Sequence, residues 1–146
     1  MALGVSIQNA TSAEVANQLE AHLLSDLRQF SEQGENTQII LELRDETQTL
    51  IGGLVGSTSY GWLLIKILWI AQPFRKFGHG RALVSRACSQ AKEIGCHSVW
   101  LDTSDTGACA FYRGLGFVQF GLLENAEGQT PNQHSQFFLK RLKRVA

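Results

Sequence analysis

Gly78 and Gly80 stand two residues apart in the run Arg75-Lys76-Phe77-Gly78-His79-Gly80, immediately before a helix-forming stretch, and Arg81 follows them. A strand that stops at Ile70 and a helix that begins near His79 would leave free backbone N–H groups at the helix N-terminus, where the macrodipole also favours an anion. Glycine removes the Cβ atoms that would otherwise keep the backbone away from a bulky phosphate, and it adopts positive φ readily. Arg75, Lys76 and Arg81 would surround such a group with cationic donors, so the spacing predicts a cradle for a multiply charged phosphate ligand. A P-loop is excluded because no Gly-Lys-Ser/Thr follows, and a dinucleotide fingerprint because its glycine spacing is absent. A glycine turn ahead of a helix also occurs for packing alone, and the loop by itself leaves that alternative open.

A second segment joins the first. Leu68-Trp69-Ile70-Ala71-Gln72-Pro73-Phe74-Arg75-Lys76-Phe77-Gly78-His79-Gly80-Arg81-Ala82-Leu83 is followed about thirty residues later by Ala108-Cys109-Ala110-Phe111-Tyr112-Arg113-Gly114-Leu115-Gly116-Phe117. Together these resemble the GNAT superfamily of N-acetyltransferases: Arg-x-x-Gly-x-Gly looks like its cofactor loop, and Phe-Tyr-x-x-Leu-Gly-Phe like its helix-to-strand motif near the thioester. The resemblance implies acetyl-coenzyme A as co-substrate and an acetyl transfer to a primary amine of a small molecule, peptide or protein. It also implies a V-shaped split between the strand ending at Ile70 and the strand Ser98 to Thr103. The co-substrate's pantetheine would lie in that split against backbone of Leu68, Trp69 and Ile70, and its phosphates on Arg75, Lys76, Phe77, Gly78, His79, Gly80 and Arg81. Asp105, Ala108 and Tyr112 would complete the site.

Acyl transfer to an amine needs a neutral nucleophile, donors for the developing oxyanion and a proton for the departing thiolate. By resemblance, backbone N–H groups near Leu68 to Ile70 are the donors. Tyr112, whose unperturbed pKa near 10 is close to that of an alkyl thiol, is the candidate acid; the alternative is an aromatic anchor for its helix. Many family members carry a glutamate base on the central strand, but Lys66 stands at the matching position and cannot accept a proton while charged. Asp102, Glu42, His134 or a water chain are the substitutes. Asp105 stands where an asparagine is common, either beside the co-substrate or as a helix cap. Trp62, Trp69 and Trp100 are readable as a substrate cage, or as core or dimer-contact residues. The departures at Lys66 and Asp105 motivate one rival reading, a coenzyme-A-binding sensor or structural module that has lost turnover.

The elements that must position these groups follow from periodicity. Val5 and Ile7 alternate with polar residues as in a short strand. Thr11 or Ser12 can cap a helix whose Val15, Leu19, Leu23 and Leu27 share one face as far as about Phe30. Gln38 to Arg44 and Leu50 to Val55 read as a hairpin around the turn Asp45 to Gln48, and Gly56 to Tyr60 as a second turn. Gly61 to Ala71 is apolar on both faces except at Lys66, as in a central strand ended by Pro73. A helix from His79 would place Ala82, Leu83, Ala87, Ala91 and Ile94 toward the sheet and stop at Gly95. Ser98 to Thr103 reads as a strand, Thr106 to Leu115 as a short helix, and Phe117 to Leu123 and Ser135 to Leu142 as the last strands. This order is mixed α/β (α+β), and the resemblance makes its central sheet mostly antiparallel, split around the co-substrate and flanked by helices.

The chain of 146 residues carries thirteen basic and thirteen acidic side chains, is 44% apolar and 18% charged, and contains two prolines. Such a chain buries about two thirds of its unfolded surface in one core, so a single domain spanning residues 1–146 is expected. The balanced charge makes nucleic acid an unlikely partner, the local run Lys140 to Arg144 reading as a solvated strand end. Cys88, Cys96 and Cys109 are odd in number and share no CxxC spacing, which suits a reducing cytoplasm and predicts neither a disulfide framework nor a metal site. No window approaches the ~20 apolar residues of a membrane span, and the first residues lack a signal pattern. A homodimer is compatible with tryptophans read as dimer-contact residues. The acceptor amine is not legible, because its pocket would be built from loops such as Ser31 to Thr37 and Asn125 to Gln133.

Overall fold

The computed structural model describes residues 4–30 and 36–143. The chain divides into two compact units, residues 1–33 and 34–146. The first holds one helix, α1 (Glu14–Phe30), with Glu14 in its first turn and Arg28 in its last, both matched to the helix dipole. Ser12 is the capping residue: its Oγ accepts a hydrogen bond from the Glu14 N–H at 3.2 Å. The short strand expected at Val5 and Ile7 does not form. Both side chains are exposed, so the alternation has no buried face to serve.

The second unit is a six-stranded sheet in the order β1-β2-β3-β4-β6-β5. Its strands are β1 (Gln38–Arg44), β2 (Leu50–Ser59), β3 (Trp62–Ile70), β4 (Ser98–Thr103), β5 (Val118–Glu124) and β6 (Gln133–Arg141), with α2 (His79–Ile94) and α3 (Thr106–Gly114) between them. Every pairing is antiparallel except β3 with β4, which α2 connects as a crossover. The β1–β2 turn is held by Asp45, whose Oδ1 accepts from the Thr47 and Thr49 N–H groups at 2.9 and 3.0 Å.

The turn expected at Gly56 to Tyr60 is shorter than the sequence suggests: β2 runs on to Ser59, and Tyr60 and Gly61 alone, at φ 50° and 82°, form the hairpin. Gly56 serves a close approach instead of a turn, because a Cβ there would stand 2.9 Å from the Leu64 carbonyl oxygen on β3. One face of the sheet packs on α2 and α3 in a core that includes Leu54, Leu63, Ile65, Leu83, Val84, Ala87, Ala91, Val99, Leu101 and Phe138. Along α2 the buried stripe is Leu83, Val84, Ala87 and Ala91; Ala82 and Ile94, expected there, are exposed, the first lying one step round the helix and the second in its last turn. Gly95, at φ 110°, stops the helix as expected, its N–H bonding back to the Ala91 and Lys92 carbonyls.

Candidate active site

The site begins where β3 leaves β4. The two strands pair only through Trp62–Ser98, Leu63–Val99 and Leu64–Trp100, whereas β4 stays paired with β6 as far as Thr103. Beyond Leu64, therefore, β3 keeps β2 on one side and a free backbone edge on the other. The parting coincides with a bulge: Val55 pairs with Ile67 and Gly56 with Ile65, leaving Lys66 as the extra residue. The Ala71 N–H donates to the Ile51 carbonyl on the β2 side at 2.7 Å. Alternation then turns the backbone groups of Leu68 and Ile70 toward the split.

At the closed end the strands are fastened by side chains. Arg141 Nη1 donates to the fully buried Ser98 Oγ at 2.8 Å, the His97 Nδ1 lies 2.8 Å from the same oxygen, and the Arg141 guanidinium sits 5.0 Å above the Trp62 ring. At the open end Arg75 Nε donates to the Ile70 carbonyl at 2.7 Å, so this residue holds the strand's last turned-out acceptor. A single 3-10 turn, Gln72–Phe74, containing Pro73, leads from the strand into the glycine loop.

In that loop Lys76 and Gly78 have φ of 69° and 85°, and Gly78 is the N-cap of α2 with no side chain capping the first turn. The helix N–H groups are thus left to a ligand. Gly80 has a different reason for its lack of a side chain: a Cβ there would lie 3.2 Å from Cζ of Phe111 on α3, so the glycine also lets the two helices close together.

Between the free edge of β3, this loop and α3 lies a cavity of about 750 Å³. It brings together Leu68, Trp69, Ile70, Arg75, Lys76, Gly78, His79, Gly80, Arg81, Asp105, Ala108 and Tyr112, which are all the residues expected there except Phe77. Phe77 is 73% exposed and outside the lining. Phe74, Ala110, Phe111, Gly114 and Leu115 line it as well and escaped sequence reasoning. The helical spacing that joins Phe111 and Leu115 to Ala108 and Tyr112 was the available signal for two of these.

Tyr112 is 7% exposed, with its ring edge-on to Phe111 and Phe117 at 5.1 and 5.4 Å and tilted against Phe138 at 6.5 Å. Burial pushes its phenol up to about 12, so the hydroxyl keeps its proton across the physiological range. No described residue hydrogen-bonds that hydroxyl. Asp105 caps α3, its Oδ1 accepting from the Gly107 N–H at 2.9 Å, which is the capping alternative read from the sequence.

Residues 6–117 match the acetyltransferase (GNAT) family. The chain belongs to that family. It is an acetyl-coenzyme-A-dependent N-acyltransferase. An acetyltransferase of Agrobacterium fabrum is 27% identical over 118 residues, covering 80% of this chain and 85% of its own. The blasticidin-S acetyltransferase of Streptomyces morookaense is 37% identical over 73 residues, 49% of this chain and 54% of its own. Among solved structures, one from Agrobacterium tumefaciens assigned as an acetyltransferase superposes with a TM-score of 0.81 at 23% identity, covering 95% of this chain and 99% of its own. A Bacillus anthracis structure assigned as a streptothricin acetyltransferase, solved with acetyl-coenzyme A, has a TM-score of 0.65 at 24% identity and covers 74% and 64%.

In this GNAT chain the three carboxylate or imidazole substitutes for the missing glutamate fall in different places. Glu42 is on β1, ion-paired with Arg44 at 2.7 Å, and that guanidinium holds its carboxyl below the usual carboxylate range. His134 is exposed near the start of β6, where its carbonyl accepts a hydrogen bond from Ser104 Oγ. Asp102 is on β4, beyond the last β3–β4 pair, with Ser135 Oγ donating to its Oδ2 at 2.7 Å. The three tryptophans form no cage: Trp62 stacks under Arg141, Trp100 lies on Phe137, and Trp69 lines the cavity. Among the described residues no helix is long and apolar enough to cross a membrane, and no group of three or more His, Cys, Asp or Glu could hold a metal.

Proposed function

We propose that the chain acetylates a primary amine of a small molecule, peptide or protein, with acetyl-coenzyme A lying along the free edge of β3. The observation that carries this reading is the parting of β3 from β4 beside an uncapped helix N-terminus, with a 750 Å³ cavity between them. An unpaired strand edge is satisfied by an extended ligand with amide groups, and an uncapped helix start by phosphate, which are the two ends of coenzyme A. The residues present therefore fit the group. Bound there, acetyl-coenzyme A supplies an activated acetyl group as a thioester.

The chain's own residues divide the remaining work. Leu68 and Ile70 present backbone groups to the split, Trp69 and Ala108 shape its walls, and the N–H groups from Gly78 to Arg81 meet the pyrophosphate. Arg75, Lys76 and Arg81 neutralise its charge, Arg75 while still holding the end of β3, and His79 lines the loop beside them. Tyr112 keeps its proton and is the proposed donor to the departing sulfur, although burial makes it a weaker acid than the match to a thiol read from the sequence. Asp105 orders α3 by capping it. We also read residues 1–146 as one working domain, which the family match running through both compact units supports. The three free cysteines support a reducing cytoplasm.

The blasticidin-S and streptothricin acetyltransferase relatives favour a small-molecule amine over a protein. The test is release of free thiol from acetyl-coenzyme A in the presence of a panel of small amines, alongside calorimetric binding of coenzyme A. Amine-dependent release supports transfer; tight coenzyme A binding with no amine-dependent release would turn the reading toward a sensor.

A further inference from the structure

On the sheet face turned away from α2 and α3, a carboxylate and a group of aromatic rings stand on β4, β6 and β5 beside the open end of the split. Val99 and Leu101 of β4 are buried in the core, so alternation places Trp100 and Asp102 together on the opposite face. Asp102 is directly paired with Phe137 of β6. Phe137 lies nearly parallel to Trp100, with centroids 6.5 Å apart, and 6.0 Å from Phe120 of β5. Across the split, Leu68 and Ile70 pack on the core, which turns Ile67 and Trp69 to this same face, where both are about half exposed.

Asp102 is held in place. Ser135, 1% exposed, donates to one of its carboxylate oxygens, and no described residue hydrogen-bonds the other. Lys66 sits on the bulge of β3, across the split from β4, yet the sole ion pair among the described residues joins Arg44 and Glu42. The charges are separated: Arg75, Lys76 and Arg81 line the part of the cavity suited to phosphates, while Asp102, outside that lining, stands on β4 just beyond the last β3–β4 pair.

We propose that Asp102, beside Phe137 and Trp100, captures the acceptor as its ammonium form, which passes a proton to water before the neutral amine attacks the thioester, and that the acceptor is a cationic amine carrying a planar, aromatic body. This rests on the acetyltransferase reading of the same split. A carboxylate oriented by a buried hydroxyl forms a charge-assisted hydrogen bond to an ammonium group, and flanking ring faces add cation–π attraction and stacking for a flat substituent. The same carboxylate repels acidic amines, so the site selects by charge as well as by shape.

The experiment is calorimetry of tryptamine, n-hexylamine and glutamate against the coenzyme-A-saturated protein, with the Asp102→Asn and Phe120→Leu variants. Asp102→Asn keeps the shape and an oxygen that accepts from Ser135, so folding is retained and checked by thermal melt. The expected result is binding in the order tryptamine, hexylamine, glutamate. Asp102→Asn loses tenfold or more for both cationic amines with coenzyme A affinity unchanged, and Phe120→Leu weakens tryptamine alone. Equal tryptamine affinity in wild type and Asp102→Asn, or no preference over glutamate, overturns the proposal. Failure of the wild-type protein to bind coenzyme A at all would instead overturn the acetyltransferase reading, and tryptamine titrated alone would still decide the role of Asp102.

Discussion

Replacing Tyr112 with phenylalanine separates the two roles a buried tyrosine can have. The ring contacts with Phe111, Phe117 and Phe138 survive the change, and no described residue loses a hydrogen bond. Folding stability near neutral pH should therefore shift by less than about 1 kcal/mol. If the hydroxyl supplies the proton to the departing sulfur, kcat should fall by roughly 10²–10⁴, with coenzyme A affinity nearly intact. The raised pKa adds a second, independent signature. A phenol at about 12 in the folded protein and near 10 when unfolded binds more protons in the native state between those values, so stability is fully present below pH 10 and is lost as pH rises toward 12. Two units correspond to roughly 2–3 kcal/mol, and Tyr112→Phe should lack this alkaline loss. The measurements are steady-state thiol release and thermal melts from pH 7 to 11.5. A normal kcat in Tyr112→Phe removes the residue from the chemistry, and an unchanged alkaline melt profile refutes the burial argument.

Gly80→Val should lower stability by about 1 kcal/mol or more, because its branched side chain would crowd Phe111; a melt restored in Gly80→Val/Phe111→Leu would locate the cost between the helices, and an unperturbed Gly80→Val would deny it. Arg81→Ala should weaken coenzyme A about tenfold or more while leaving its dephosphorylated pantetheine fragment nearly unaffected, as read by calorimetry; equal losses would point away from phosphate contact. Asp105→Ala removes the α3 cap, costing about 1 kcal/mol, a lowering of the melting temperature by about 3 °C. Asp105→Asn keeps the cap, removes the one acidic side chain lining the cavity and should bind coenzyme A more tightly.

Much of the site was legible because its parts are local. The glycine loop, the start of α2 and the stop at Gly95 are set by backbone conformations that few residues other than glycine adopt, and these left their mark at fixed positions. Asp105 is legible as a cap for the same reason. The insertion of β6 between β4 and β5 was not, because strand order depends on long-range pairing that alternation does not encode. Nor was the meeting of Gly80 with Phe111, which are far apart in sequence and adjacent only once α2 and α3 lie on the sheet. Gly56 misled for a related reason: a glycine required by a neighbouring strand's carbonyl looks, in sequence, the same as a glycine required by a turn.

Lys66 ties these observations together. Strict alternation along β3 from Leu63 and Ile65 would send Ile67 and Trp69 into the core and turn Leu68 and Ile70 outward. The structure does the reverse, because the extra residue at the bulge shifts the parity by one. A bulge residue has no cross-strand partner and need not fit a buried face, so a lysine is tolerated there in an otherwise apolar strand. The bulge also increases local twist, and β3 separates from β4 directly after Leu64, next to it. One inserted residue thus accounts for three features of the site. It opens the split, sets the side chains of Leu68 and Ile70 against the core while their backbone groups face the opening, and puts Ile67 and Trp69 on the face shared with Asp102. A lysine where the family often places a glutamate leaves that geometry intact, and it moves the search for an acceptor-facing carboxylate from β3 to the other lip of the split, where Asp102 stands.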